Sequence, residues 1–483
     1  MLSFLSHSIV LVLCLPGTLA QTAKWDLSSF TAANTIVRDV AVIGGGSAGT
    51  FSAIQIKDKG KSVVVVEAKS RLGGHTETYT DPKTGRGIDM GVIIWHNISI
   101  VTDYFKRFNV PVILAGSDIP ADAPKETEGV YDLKTGKALA DPRPNQTAVG
   151  AAFQLYTQQL LKYPLLDEGM FLPDPVPDDL VMPFGKFAQK YGIEAALPTM
   201  FQYNAGLGDI LTIPTVENMR TWGLSLVSAL QGGFITTARH NNSELYGKAQ
   251  DELGAANSLL LKSEVVYTER STTGVQLVVT TPTGNKLIKA KRLLITIPPK
   301  LDFLRPFSLT TQETQVFGKL YNTGYYTSIV QNTGIPDNLG IVNYSPDTPY
   351  NLPTLPAVYS IGSSIYTPGL KLAFLGAPLS NVTRSLPDKT VLDTIIASIK
   401  KLQTANPTKF NKTSPTFVSY SSHSPFYLQA KAADIKAGFY KKMYALQGTK
   451  NTFWTGASWR AHDSSDIWRY TADHVLPNLL KGL

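Results

Sequence analysis

The sequence contains a single cysteine, Cys14, in 483 residues. This residue lies in a short apolar run that is followed by small residues, the pattern of a secretory signal with its cleavage site. We therefore predict that residues 1–20 form a cleaved signal peptide, that the mature chain begins at Gln21, and that the protein is secreted or enters the lumen of the secretory pathway. Such a mature chain has no disulfide, no thiolate metal site and no nucleophilic cysteine.

Charge is also scarce, since charged residues make up 17% of the chain and hydrophobic residues 43%. This balance is typical of a globular protein with a packed interior. The net charge of +8 comes without a Lys/Arg stripe interleaved with aromatics, so we expect no nucleic-acid partner. The N-terminal apolar run is shorter than the ~20 residues of a membrane span, so we expect no stable membrane anchor.

Motifs of metal and hydrolytic enzymes are absent too, because no HExxH, CxxC or GxSxG pattern occurs. We accordingly predict no metal site. Sequons for N-glycosylation, in contrast, fit the predicted secretory route. They occur at Asn97, Asn145, Asn241, Asn343, Asn381 and Asn411.

A nucleotide-binding pattern opens the mature chain. A predicted strand, Asp39 to Ile43, runs into the glycine motif GGGSAG and a predicted helix, and a second buried strand ends at Glu67. In such a motif Gly44 permits a tight turn, Gly46 lets the backbone approach a pyrophosphate, and Gly49 lets the helix pack on the strand. Glu67 has the spacing of a carboxylate that binds ribose hydroxyls. The motif by itself fits both NAD and FAD.

Four further segments, EAKSRLGGHT, GIDMG, AKRLLITIPP and WTGA, resemble the flavin-containing amine oxidase family. The sequence around these segments is similar to that of the secreted fungal branch of the family, which includes β-cyclopiazonate dehydrogenase. This resemblance implies FAD as cofactor and an α/β fold, in which a Rossmann-type FAD-binding domain is interleaved with an α+β substrate domain. It assigns 38–110, 230–305 and 420–483 to the FAD-binding domain, and 111–229 and 306–419 to the substrate domain.

The resemblance also implies the cofactor contacts. Ser47 joins the three glycines at the phosphates, and the helix that starts near Ser465 directs its positive end at the flavin ring. The remaining implied contacts lie beside the pyrophosphate, the adenine or the ring. They are Arg71, Gly74, His75, Gly91, Val92, Val265 and Gly456.

Several positions depart from the family pattern. His75 stands where many members have arginine, and it is interpreted either as a neutral hydrogen-bonding group, as a contact whose charge follows pH, or as a structural histidine. The usual cysteine tether of the flavin is missing. His423 lies near that place, so it is a candidate covalent ligand or base, with a packing role as the alternative. The lysine that contacts the flavin has no counterpart, because Gln331 follows the strand that would carry it.

Aromatic side chains are candidates for the substrate site. Three aromatic residues are expected either to flank a planar substrate or to pack in the core: Tyr427, Trp459 and Trp468. For His96, too, a place at the substrate site and a place in the core are both open. Together the sequence predicts an FAD-dependent oxidoreductase that removes hydride from a small organic molecule, a fungal secondary metabolite, by oxidation or oxidative cyclisation. An amine oxidase, a redox-neutral flavin isomerase and a flavoprotein without catalysis are the alternatives. The electron acceptor, oxygen or another, stays open.

Overall fold

The computed structural model describes residues 25–119, 125–203, 205–381 and 386–483. The predicted signal peptide and Cys14 lie outside these residues. Within the described ranges no helix is both long enough and apolar enough to cross a membrane.

The described chain alternates strands and helices, and its elements are numbered here in chain order. The strands are β1 (Thr35–Ile43), β2 (Val63–Val66), β3 (Thr78–Thr80), β4 (Gly87–Asp89), β5 (Trp95–His96), β6 (Val112–Leu114), β7 (Thr127–Asp132), β8 (Lys137–Ala138), β9 (Phe234–Thr237), β10 (Leu259–Leu260), β11 (Glu264–Arg270), β12 (Val275–Thr281), β13 (Gly284–Ile295), β14 (Tyr321–Gln331), β15 (Leu339–Asn343), β16 (Ala357–Ile361), β17 (Leu370–Ser380), β18 (Thr416–Ser422), β19 (Phe426–Gln429) and β20 (Thr452–Trp454). The helices are α1 (Ser47–Asp58), α2 (Ser99–Arg107), α3 (Gln146–Leu160), α4 (Asp178–Val181), α5 (Phe184–Tyr191), α6 (Leu197–Tyr203), α7 (Thr215–Thr221), α8 (Leu224–Gly232), α9 (Ser243–Ala255), α10 (Leu301–Leu304), α11 (Thr311–Phe317), α12 (Asp388–Ala405), α13 (Ala432–Lys436), α14 (Phe439–Tyr444), α15 (Ser464–Tyr470) and α16 (Leu476–Leu480).

The first large sheet has the strand order β10-β2-β1-β13-β12-β11, with β20 also paired to β13. Strands β10, β2, β1, β13 and β20 run parallel, and β11 and β12 add an antiparallel extension. All four valines of β2 are buried, as expected for a parallel strand covered on both faces. The predicted α/β fold with a Rossmann-type opening is confirmed.

The second large sheet has the order β18-β14-β17-β16-β15-β7-β8, with β19 also paired to β14. Helix α12 covers it with a stripe of buried residues at helical spacing, Val391, Ile395, Ile399 and Leu402. Strand β18 crosses residue 420, the predicted start of the last FAD-binding segment, and it belongs to this second sheet.

Two local expectations differ from the structure. Strand β1 begins at Thr35, ahead of the predicted Asp39, because its first residues pair with Leu287 to Ala290 of β13. The region between Asp118 and Asp179 is rich in Pro and Asp, a composition that favours loops and short helices, yet it contains the long helix α3. The Asn145 side chain caps α3 by accepting a hydrogen bond from the Ala148 backbone N–H, which satisfies a free donor of its first turn.

Candidate functional site

A cavity of about 800 Å³ opens at the carboxyl ends of four parallel strands. Residues that directly follow β1, β2, β13 and β20 line it, which is where open α/β sheets bind their ligands. Gly44, Gly46, Ser47, Glu67, Gly74, His75, Val265 and Gly456, all implied by the sequence, are among the lining residues.

Glycines bring three backbone segments close together at one end of this cavity. Gly44 has a φ of +97°, and a Cβ on Gly49 would lie 1.9 Å from the Gly44 carbonyl oxygen. Gly74 has a φ of +57°, and a Cβ there would lie 2.8 Å from the Cα of Gly46. The first turn of α1 and the 73–74 turn therefore form a cradle that a diphosphate fits, with the helix N-terminus beside it.

Ser47 connects this cradle to the C-terminal helix α15. Its hydroxyl donates to Ser464 Oγ at 2.8 Å and accepts from the indole N–H of Trp468 at 3.0 Å. Trp468 is buried and stacks on Phe51 of α1 at 5.4 Å between ring centroids. Trp468 thus holds two helices together and does not line the cavity.

The Glu67 carboxylate lies at the end of β2, 9% exposed. It accepts the backbone N–H groups of Gly45 at 2.6 Å and of Lys69 at 2.7 Å. These two bonds fix the carboxylate next to the glycine cradle. Its place on the cavity wall fits the predicted contact with a ribose.

Val265 lies at the same end, where the register of β11 shifts by a bulge between Val265 and Tyr267. Such a shift leaves backbone groups of the strand unpaired and available to a ligand. Arg71, in contrast, is not brought to the cavity. Its guanidinium donates to the Leu72 and Thr76 carbonyls at 3.0 and 2.9 Å and pairs with Glu77, so it fixes the turn that carries Gly74.

Another part of the cavity wall, here called the reaction end, is formed by His75, Phe426 and His462. The rings of His462 and Phe426 lie 4.1 Å apart, and Phe426 lies 6.1 Å from His75. Gly456 closes this wall with a φ of +112°, and a Cβ there would lie 3.2 Å from the Thr296 carbonyl oxygen. The reaction end is thus aromatic and closely backed by main chain.

Both lining histidines are neutral at physiological pH. Burial, followed by the neighbouring His423, lowers the pKa of His75 well below its ordinary value. Burial, followed by the charge of Arg220, lowers the pKa of His462 to about 3. The Tyr427 backbone N–H donates to His462 Nε2 at 3.3 Å, so the ring proton of His462 sits on Nδ1. A pKa this far below its ordinary value leaves the His75 ring uncharged near pH 7, and its role as a hydrogen-bonding group stays a prediction.

His423 is buried behind this wall. Its Nε2 lies 3.2 Å from the Met90 carbonyl oxygen and 3.3 Å from Thr327 Oγ1, and burial lowers its pKa to about 4. Its ring lies 4.8 Å from that of His75. His75 therefore lines the cavity, and His423 lies behind His75, away from the cavity.

Gly91 and Val92 also lie in the layer behind the wall. A Cβ on Gly91 would meet the His75 carbonyl oxygen at 1.7 Å and the His423 ring at 3.2 Å, so glycine is needed for this packing. The Val92 carbonyl accepts from the side chain of Asn242 at 2.9 Å. Neither residue lines the cavity.

The structure does not bring Tyr427 or Trp459 to the cavity either. Alternation along β19 directs Phe426 and Leu428 to it and turns Tyr427 to the opposite face. There the Tyr427 hydroxyl donates to the Glu217 carbonyl at 2.6 Å and accepts from Arg220 at 3.0 Å. Trp459 is buried against Tyr444, at 5.9 Å between ring centroids.

Gln331, which follows the strand expected to carry a lysine, lies at the far end of β14. Its side chain donates to Thr416 Oγ1 at the surface, at 3.2 Å. The lysine on the cavity wall, among the residues the structure describes, is Lys69 at the nucleotide end. Among the described residues, Lys69 Nζ lies 3.3 Å from the Gly74 carbonyl oxygen, and no lysine lies beside Phe426 or His462 on the wall.

Asp463 is a lining residue that sequence reasoning missed. It is the N-cap of α15, and its carboxylate accepts the backbone N–H groups of Ser465 and Asp466 at 2.8 and 3.2 Å. The helix end expected to present a positive dipole to the flavin therefore carries a carboxylate as well. The Asp-Ser-Ser-Asp segment is a recognisable N-cap signal and could have indicated Asp463. The alternation of side chains along β19 could likewise have indicated that Phe426, and not Tyr427, faces the cavity.

Comparison with known proteins agrees with this geometry. The sequence model of the flavin containing amine oxidoreductases matches residues 48–464. The FAD-dependent oxidoreductase oblC of Cochliobolus heterostrophus is 50% identical over 458 residues, which are 94% of this chain and 93% of that protein. The β-cyclopiazonate dehydrogenase of Aspergillus flavus is 34% identical over 450 residues, 92% of this chain and 94% of that protein.

A solved structure shares the fold at low sequence identity. The fatty acid isomerase of P. acnes, which produces CLA, superposes with a TM-score of 0.71 at 18% identity, over 91% of this chain and 98% of that one. The chain belongs to the flavin-containing amine oxidase family. It is an FAD-dependent oxidoreductase that acts on a small molecule.

The cavity fits this cofactor on its own geometry. Gly44, Gly46 and Gly74 line the cavity, and a Cβ on Gly44 or Gly74 would lie 2.8 Å from neighbouring protein atoms, so the close approach of the backbone here requires glycine. All of these wall residues would hold FAD: Glu67 and Val265 would bind its adenosine part, and His75, Phe426 and Gly456 would lie beside its ring system.

Proposed function

We propose that the protein removes hydride from a carbon atom of a small organic molecule, a fungal secondary metabolite. Bound FAD supplies the hydride acceptor. The observation that carries the proposal is the reaction end, which combines an aromatic wall at Phe426 with two neutral histidines and no lysine. The names of the fungal relatives, which are oxidoreductases and β-cyclopiazonate dehydrogenases, support the same chemistry.

The residues of the reaction end have separable tasks. Phe426 offers a flat apolar face on which a planar substrate stacks. The ring of His462 lies 4.1 Å from that of Phe426 and extends this apolar wall. Because His75 is neutral, it can accept the proton that leaves the substrate when the hydride departs from carbon.

The test is an anaerobic titration of the oxidised holoenzyme with candidate metabolites of the producing fungus. A substrate is expected to bleach the flavin absorption and to yield a product that is two hydrogen atoms lighter. An isomerase would yield a product of unchanged mass without bleaching, and an amine oxidase would yield an aldehyde or ketone and release an amine. Admission of oxygen then shows whether oxygen or another acceptor reoxidises the flavin.

We also propose that the protein is secreted. Asn97, Asn145, Asn381 and Asn411 are exposed sequons, whereas Asn343 is buried and bonded to Leu133 and Val358. N-terminal sequencing of protein from the culture medium is expected to begin at Gln21, with glycans on exposed sequons and none at Asn343. An intact Met1 on cell-associated protein would contradict this proposal.

A further inference from the structure

Most charged side chains near the cavity are balanced by neighbours. At the nucleotide end, Lys69 and Arg71 pair with Glu77, and the Lys69 backbone binds Glu67, so two cations face two carboxylates. Behind the reaction end, Arg220 is buried and lies 3.5 Å from Glu217. Neither set leaves an unbalanced charge.

The cluster around Asp463 is different. Asp466 pairs with Arg460 at 2.9 Å and with Arg469 at 3.1 Å, and Asp167 pairs with the same two arginines at 3.5 and 3.0 Å. Asp463 is the third carboxylate of this cluster, against two guanidinium groups. No guanidinium group of the described residues pairs with Asp463, so the negative charge of its carboxylate is not balanced by an arginine.

Asp463 places that charge on the cavity wall. It lines the cavity next to His462, and its side chain is 24% exposed. His96, which is 2% exposed, faces Asp463 with its Nε2 3.3 Å from Asp463 Oδ2, and the charge of Asp463 also acts on Tyr203 and Asp466. Neither ring nitrogen of His96 has a hydrogen-bond partner among the described residues.

We propose that Asp463 makes the reaction end select against anionic substrates, so that the enzyme takes neutral or cationic molecules and rejects carboxylates. This inference rests on the proposed function, because it names the substrate class of the same site. Its physical basis is the repulsion between two like charges a few ångströms apart in a partly desolvated cavity, where the effective dielectric constant is about 20. His75 and His462, on the same wall, are uncharged at pH 7 and offer an anion no cationic partner.

Three indoles of matched shape test the proposal: tryptamine as cation, indole-3-ethanol as neutral molecule and indole-3-acetate as anion. Their dissociation constants are measured at pH 7 from the perturbation of the flavin absorption of the holoenzyme. We expect indole-3-acetate to bind at least about tenfold more weakly than indole-3-ethanol. Because no turnover is needed, the result is independent of whether hydride is removed.

Two matched variants locate the source of the selection. Asp463→Asn keeps an N-cap residue on α15 and removes the charge, and it is expected to bring the anion and the neutral probe to similar affinity. Asp473→Asn removes one negative charge from an exposed position and is expected to leave the ratio unchanged. Equal binding of the two probes by the wild type, or an unchanged ratio in Asp463→Asn, overturns the proposal.

If no indole perturbs the flavin, collisional quenching of the flavin fluorescence gives the same comparison. Iodide is the anionic quencher and acrylamide the neutral one. The iodide-to-acrylamide ratio of quenching constants is expected to rise in Asp463→Asn and to stay at the wild-type value in Asp473→Asn. A ratio that is the same in all three proteins refutes the role of Asp463.

Discussion

The substitution Gly49→Ala should show whether close packing in the glycine cradle or helix propensity controls the free energy of unfolding at this position. In an exposed helix interior, Gly→Ala stabilises by roughly 0.5–1 kcal/mol. At Gly49, however, the new Cβ would lie 1.9 Å from the Gly44 carbonyl oxygen and 2.8 Å from Thr296 Oγ1. Gly49→Ala should therefore lower the free energy of unfolding, whereas the same substitution in an exposed helix raises it.

The size of the effect follows from the distances. A carbon–oxygen contact is normally about 3.3 Å or longer, so α1 must recede from β1 by roughly 1.4 Å at this point. Overpacking of this kind costs about 1–3 kcal/mol of unfolding free energy. The same movement withdraws the first N–H groups of α1 from the phosphates, and the loss of one charge-assisted hydrogen bond, about 1.5–3 kcal/mol, lowers FAD affinity by roughly 10- to 150-fold.

The assay is urea unfolding of the apoprotein together with a fluorescence titration with FAD. Gly247→Ala in α9 is the matched control, because a Cβ there meets nothing within 4 Å. It is expected to stabilise slightly and to leave FAD binding unchanged. The reasoning fails if Gly49→Ala is as stable as the wild type and binds FAD with the same affinity.

Three further outcomes are expected. Gly46→Val should abolish FAD retention, because the branched side chain enters the cavity. The apoprotein should lose little stability, because the nearest atom to a Cβ at this position is 3.7 Å away. A variant that still contains FAD and has the normal flavin colour would contradict this prediction. His75 lines the cavity and His423 lies behind it, so if acid precipitation leaves flavin on the protein, His75→Ala is expected to release it and His423→Ala to retain it. A flavinylated peptide containing His423 would reject that placement. The free energy of unfolding should fall as the pH drops below about 6.5, because the pKa values of His423 and His462 are about 4 and about 3 in the folded state and the unfolded chain takes up the protons first. Each titrating histidine contributes about 1.4 kcal/mol per pH unit, and urea unfolding of the His423→Asn, His462→Asn double variant at pH 7 and pH 5 should show a flatter dependence.

The sequence by itself determined the nucleotide end of this protein. The glycine motif, the buried valines of β2 and Glu67 are contiguous or regularly spaced, and each has a local physical reason to be where it is. Such local patterns predicted the cofactor, the family and the α/β architecture. They also predicted most of the residues that line the cradle.

The tertiary structure decided the reaction end. Phe426, His462 and Asp463 come from segments whose orientation depends on the strand pairing of β19 and on the cap of α15. A shift of one residue along a strand exchanges the two faces, so Phe426 and not Tyr427 faces the cavity. Whether His75 is neutral and whether Asp463 carries an unbalanced charge are set by burial and by distant ion pairs, which a linear sequence does not display.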